Sequence, residues 1–325
     1  MGGMRLNTQA VLSLRQVLAA VVLAGLSLAA AQAGQMDWKW GLVGVAVSVP
    51  LLTWVLKRLR CGPVYKGVYG VLLTAVYAGW SVLTLGHVLC QAAQRVQITG
   101  GSQGVFGWLI VLLALPVLWM GWGKPAAFFR GGEIYWMAFV AVLVAVALLT
   151  IPQVSVSYLW AWEERDWTSA LTAAGTVAMV AWVLPYLYKA SPYQQGETGA
   201  VGRWLLLLGV LTVALAALTR GVLGQSAVQL SQPFFVTTGV MGETARTEGL
   251  LSALWLVCDL VWAGLLTRVW GGGKGPVVCA LLGTAVALSG WTEGWPQLVW
   301  PIGNLVLVAL AVVRPQGEGK IVVKY

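Results

Sequence analysis

Charge is scarce in this chain. Lys, Arg, Asp and Glu make up only 10% of its residues, against 59% apolar and a mean hydropathy of +0.80. Soluble domains hold about 25% charged and about 45–50% apolar residues, so a soluble fold is excluded. A single histidine, His87, excludes a histidine-rich metal cluster. Four cysteines (Cys61, Cys90, Cys258 and Cys279) form no CxxC pair. Three lie in or near apolar runs and read as small buried hydrophobes rather than a disulfide frame or metal site. There is no Ser/His/Asp set and no carboxylate pair at catalytic spacing, so neither an enzyme nor a cofactor is expected. Gly271-Gly272-Gly273-Lys274-Gly275 lacks the upstream glycine and the Ser/Thr of a phosphate loop and reads as a turn.

What the chain does have is apolar runs, each near the ~20 residues that cross ~30 Å of hydrocarbon. They predict an all-α polytopic membrane protein of about ten spans, at 11–32, 40–57, 67–91, 104–122, 133–153, 168–188, 203–223, 249–268, 276–291 and 297–313. Tryptophan is abundant, with 19 residues mostly near span ends, as in an interfacial aromatic belt.

The net charge of +9 needs no nucleic-acid partner, because its placement orients the spans. With the amino terminus inside, only Lys39, Arg95, Arg165, Arg220 and Arg246 of the 20 basic residues fall outside, leaving fifteen inside. The acidic run Glu163 to Asp166 also falls outside. Both termini are then cytoplasmic in an inner (cell or spore) membrane. Ala31-Gln32-Ala33, after a basic start and an apolar run, has the spacing that signal peptidase cuts. The stretch runs straight into the next apolar segment, however, and the favoured expectation keeps it as the first span.

Three segments carry a resemblance. "AAAQAGQMDWKWGLVGVAVSVPLLTWVLKRL" resembles the first turn and second span of the spore germination receptor B-subunits, the endospore germination permeases. "VLPYLYKASP" (183–192) resembles that family's exit from span 6. "QPFFVTTGVMGETARTEGLLSALWLVCDL" (232–260) is similar to its proline-led outer segment, Arg-x-Glu and Trp-containing span 8, here Pro233, Arg246, Glu248 and Trp255.

The resemblance implies the amino acid–polyamine–organocation superfamily and a leucine-transporter-type fold of two inverted five-span repeats. Within a single membrane domain, residues 1–153 form the first repeat, 154–314 the second and 315–325 a cytoplasmic tail. It also implies a nutrient germinant receptor that binds an amino acid and acts with an A-subunit and a lipoprotein C-subunit. An ion-coupled amino acid permease is the alternative. A non-binding structural subunit is the third reading, favoured by Ala29-Ala30 where the family has a proline.

In such a repeat, spans 1 and 6 occupy equivalent places, and their interrupted middles form a midplane site. Here these are Gly25, Leu26 and Ser27, with Thr172, Gly175 and Thr176. Small residues equally serve close helix packing. Asp259, mid-span, needs an interior partner and shares a helical face with Ser252, Trp255 and Trp262. A substrate ammonium, proton coupling and a structural bond all remain open for it. Span 3 carries a polar stripe, Gly70, Thr74, Tyr77, Ser81 and Thr84, expected to face inward, either to line the site or to bond other helices. His87 reads as an interfacial histidine, and Arg15 and Arg220 as snorkelling cations. Arg246 and Glu248 are expected at the outer mouth of span 8, as a loop ion pair or a partner contact.

Overall fold

The computed structural model describes residues 12–58, 67–100, 104–161, 166–190, 198–230, 232–239, 247–271, 273–292 and 294–312. Among them the helices are α1 (Leu14–Gln32), α2 (Trp38–Arg58), α3 (Gly67–Gly100), α4 (Phe106–Trp122), α5 (Pro125–Thr150), α6 (Val156–Trp160), α7 (Trp167–Ala190), α8 (Thr198–Leu223), α9 (Pro233–Gly239), α10 (Thr247–Arg268), α11 (Gly275–Leu288) and α12 (Val299–Val312). No strand occurs among the described residues.

Seven helices, α1, α2, α3, α5, α7, α8 and α10, are long and apolar enough to cross a membrane. The apolar α4, α11 and α12 are shorter, at 17, 14 and 14 residues. At 1.5 Å per residue the last two rise only about 21 Å. The chain is thus a multi-pass helical membrane protein.

Local chemistry explains several boundaries. Ser13 caps α1: its hydroxyl accepts from Gln16 N at 3.3 Å, and Gln16 Oε1 accepts from Ser13 N at 3.2 Å, a reciprocal capping box. Pro125 occupies the first turn of α5, where its missing N–H costs nothing. Pro50, Pro116 and Pro185 stand inside α2, α4 and α7, as membrane helices tolerate.

The packing is that of a molecule surrounded by lipid. Ile134, Met137, Val144 and Leu148 on α5, and Trp108, Leu112, Leu115 and Trp119 on α4, point outward, more than half exposed. The buried core is mostly apolar too, and it also holds the polar residues Ser27, Gln32, Asp37, Arg95, Thr176, Asp259 and Asn304. α1 is buried almost all round and packs on α5, α7, α8 and α10. α2 packs on α7 and α8, α12 on α7, and α3 on α4, α10 and α11; α4 also packs on α11.

One end of the bundle gathers the α1–α2 turn, α6 and the end of α8. Trp38 Nε1 donates to Leu159 O at 3.1 Å, and Ser155 N donates to Gly221 O at 2.8 Å. The opposite end gathers the α4–α5 turn and the end of α10, where Arg268 Nη2 donates to Gly123 O at 2.7 Å and also to Met120 O.

Three expectations change. α3 runs to Gly100 rather than ending at 91, so Arg95 is not a loop residue and carries no orientation information. His87, expected as an interfacial residue, is buried and stacks on Trp300 at 4.1 Å between ring centroids. α1 and α7 are continuous helices through Gly25 and Gly175, without the expected breaks. A Cβ on Gly25 would lie 2.6 Å from the Leu208 side chain, and one on Gly175 would lie 2.3–2.4 Å from Pro301. Both glycines serve close helix approach. The described cysteines, Cys90, Cys258 and Cys279, are free and buried, as the sequence predicts.

Candidate functional site

An ion pair stands in the interior where α1, α3 and α10 meet. Arg95 Nη1 pairs with Asp259 Oδ2, and the Ser27 hydroxyl donates to Asp259 Oδ1. Their relative exposures are 1%, 1% and 3%. Removing two such charges from solvent costs several kcal/mol per ion and gains little net stability. In a membrane interior that cost marks a functional position by default.

Aromatic rings enclose the pair. The Arg95 guanidinium carbon lies 4.2 Å from the centroid of Phe235 on α9. Trp255, one turn before Asp259, packs against Phe139 of α5 at 4.9 Å and Phe234 of α9 at 4.8 Å. Its Nε1 is buried without a hydrogen-bond partner among the described residues. α9 covers the site from the end where α3 terminates: Gln232 Nε2 donates to Gln91 Oε1 at 2.6 Å, one turn before Arg95. A hydroxyl donor, a carboxylate and a guanidinium therefore meet beside aromatic rings, with the Trp255 indole one turn from Asp259 on α10.

The predicted site residues divide. Ser27, Trp255 and Asp259 come together, with Leu26 buried in the core beside Ser27. Thr172 and Thr176 belong elsewhere: the Thr176 hydroxyl, in contact with Thr172 O at 2.9 Å, also reaches Gln32 Oε1 at 3.2 Å. Gly175 O accepts from Asn304 Nδ2 at 3.2 Å. Asn304 Oδ1 in turn accepts from Trp182 Nε1 at 3.0 Å and Trp80 Nε1 at 3.3 Å, tying α12 to α3 and α7.

The span 3 stripe does not reach Asp259. Thr74 is exposed and bonds its own helix at Gly70 O, 2.8 Å away, against the expectation that it faces inward. Tyr77 donates to Leu307 O at 2.6 Å, and Ser81 accepts from Trp270 Nε1 at 2.7 Å. From Ser81 to Arg95 the helix rises about 21 Å. Arg246 lies outside the described residues, and so does the side chain of Glu248.

Sequence reasoning missed Arg95 and Asp37. Arg95 sits among Gln91, Gln94 and Gln97, which read as a span end. The available signal was the partner that a buried Asp259 requires. Asp37 is buried, with Arg220 Nη1 at 3.7 Å and Lys39 Nζ at 3.8 Å from its Oδ2. Its Oδ1 accepts from Lys39 N at 2.8 Å, and its own N donates to Ser169 Oγ at 2.7 Å. Arg220 is therefore buried in an ion pair and does not snorkel, whereas Arg15 is exposed and pairs with Glu133 at 2.9 Å. An Asp just before an apolar run is a helix-cap signal, and it was readable in "MDWKW".

Neither a family model nor a curated protein matches the chain.

Proposed function

We propose that this protein is the membrane subunit of a nutrient germinant receptor and binds a small amino-acid-like ligand where α1, α3 and α10 meet. The observation that carries the reading is the buried Arg95–Asp259–Ser27 arrangement beside Trp255. A ligand carboxylate would take the Arg95 guanidinium, and its ammonium would take Asp259. The free indole N–H of Trp255 is a further donor. Exchange of an internal ion pair for a ligand gives two states of different affinity, which is all a sensor requires. The receptor context, with an A-subunit and a lipoprotein C-subunit as partners, rests on the sequence resemblance.

Packing supports the proposed ten spans in two inverted repeats. With α7, α8, α10, α11 and α12 taken as spans 6 to 10, most packed pairs have a partner pair five spans away. α1 with α5 answers to α7 with α12, α1 with α8 to α7 with α2, and α3 with α11 to α10 with α4. The contact of α1 with α10 has no comparable α7–α3 counterpart. α7 with α8 likewise lacks a comparable α1–α2 counterpart, and the proposed ligand site falls at the first of these unmatched contacts.

A permease is the second reading, because a buried carboxylate is also what proton-coupled carriers use. Equilibrium binding of a panel of labelled amino acids to the purified protein, with Ser27→Ala beside wild type, tests the proposal. We expect saturable binding by wild type, weakened roughly fivefold by loss of one hydrogen bond of about 1 kcal/mol. Absence of binding to any amino acid, with or without partner subunits, would contradict it. Net accumulation in vesicles by the isolated chain would favour the permease.

A further inference from the structure

A second feature lies away from the ion pair, on the lipid side of the bundle. α4, α5 and α10 leave an apolar cavity of about 470 Å³ between them, within the ~300–1,000 Å³ of ligand sites. Its walls are two helical stripes: Val257 and Val261 on α10, and Phe128, Gly131 and Tyr135 on α5.

Side chains bridge the helices at both ends. Toward the middle of the bundle, the Tyr135 hydroxyl donates to Leu254 O and bridges α5 to α10. At the other end Arg268 bridges α10 to α4 through Met120 O and Gly123 O. From Leu254 to Arg268 is about 21 Å at 1.5 Å per residue. That matches one leaflet, half of the ~40–45 Å bilayer with its headgroups.

The charge at the mouth is of one sign. Arg268 is 5% exposed, lines the cavity, and leaves Nε without a hydrogen-bond partner among the described residues. Lys124, also lining, precedes the first turn of α5, which holds no acid. Among the described residues no carboxylate is paired with Lys124, Arg130 or Arg268, and the nearby Glu133 is taken by Arg15. Trp119 and Trp122 stand exposed at the same end, as interfacial anchors do.

We infer that this groove is a binding site for one anionic phospholipid, with an acyl chain between α5 and α10 and the headgroup phosphate against Arg268 and Lys124. The cationic mouth selects an anionic over a zwitterionic headgroup, and the leaflet-long apolar groove selects a lipid over a soluble phosphate. The inference rests on the membrane-spanning character of the helices and is independent of the amino-acid site.

The test is native mass spectrometry of the full chain incubated with phosphatidylglycerol, phosphatidylcholine of the same acyl chains, or glycerol phosphate. Arg268 also holds α4, so the informative variants are Lys124→Gln and Gly131→Trp. A Cβ on Gly131 meets nothing within 4 Å, so the larger side chain enters the groove without a clash at its root. We expect phosphatidylglycerol to be retained selectively by wild type. Retention should be weaker by about fivefold in Lys124→Gln, the effect of one basic residue near a membrane surface, and lost in Gly131→Trp, with thermal unfolding in phosphatidylcholine unchanged for both. Equal retention of the two lipids, wild-type retention by Gly131→Trp, or glycerol phosphate binding as tightly as the lipid would each overturn the inference.

Discussion

Asp259 and Arg95 are ion-pair partners inside the bundle. Asp259→Asn or Arg95→Gln leaves one charge buried without its partner, at a cost of about 3–5 kcal/mol. Each single variant should therefore unfold at a clearly lower temperature in detergent. The double variant Arg95→Met/Asp259→Leu removes both charges, and replacement of a buried pair by apolar residues is often neutral or stabilising, so its Tm should recover most of the loss. Asn304 behaves differently because its partners are neutral. Asn304→Ala strands Trp182 Nε1 inside the bundle, and we expect about 1–3 kcal/mol of destabilisation by thermal unfolding. At this scale the sequence was partly legible. Asp259 stood out because an acid inside an apolar run is costly. Arg95 did not, since glutamines on either side made its segment look like a loop. No spacing rule connects residues 164 positions apart.

Helix packing turns on where side chains are missing. A Cβ at Gly175 would enter both the side chain and the backbone of Pro301. Gly175→Ala must push α7 and α12 apart, at a cost of about 1–3 kcal/mol. A Cβ at Gly79, on the exposed surface of α3, would meet nothing within 4 Å. There Gly79→Ala should be neutral or stabilise by up to about 1 kcal/mol through helix propensity. Thermal unfolding of the two variants side by side checks both signs. The positions of the long helices were legible because hydropathy reports burial in lipid directly. Helix ends and breaks were not. Glycines read as interruption points in α1 and α7 are contact points instead, a distinction made only by the neighbouring helix. The short α6 and α9 were likewise invisible, being too brief for periodicity to register, yet α9 supplies the Phe235 ring that covers Arg95.

The molecule as a whole is apolar on its surface and in most of its core, and several of its buried polar groups are bonded between helices. The two ends of the bundle differ in what they gather, and this makes the proposed topology testable. With Cys61 replaced, Ser157→Cys in α6 and Lys274→Cys before α11 are both exposed and lie at opposite ends. An impermeant thiol reagent on intact cells should label Ser157→Cys at once and Lys274→Cys only after permeabilisation. The buried Cys90, Cys258 and Cys279 should stay silent. Labelling of both from the same side would contradict the orientation read from Lys and Arg. Membrane class was legible from composition alone. The site was not, because it is assembled from α1, α3, α9 and α10, and only their packing defines it.

The central claim is that the buried ion pair is kept for a ligand and not for stability. Its most direct test is amino acid binding by the Arg95→Met/Asp259→Leu variant, measured beside wild type under conditions where both are folded. We predict a folded protein with saturable binding abolished. Binding at wild-type affinity by the folded double variant would contradict the claim and leave the pair a structural contact.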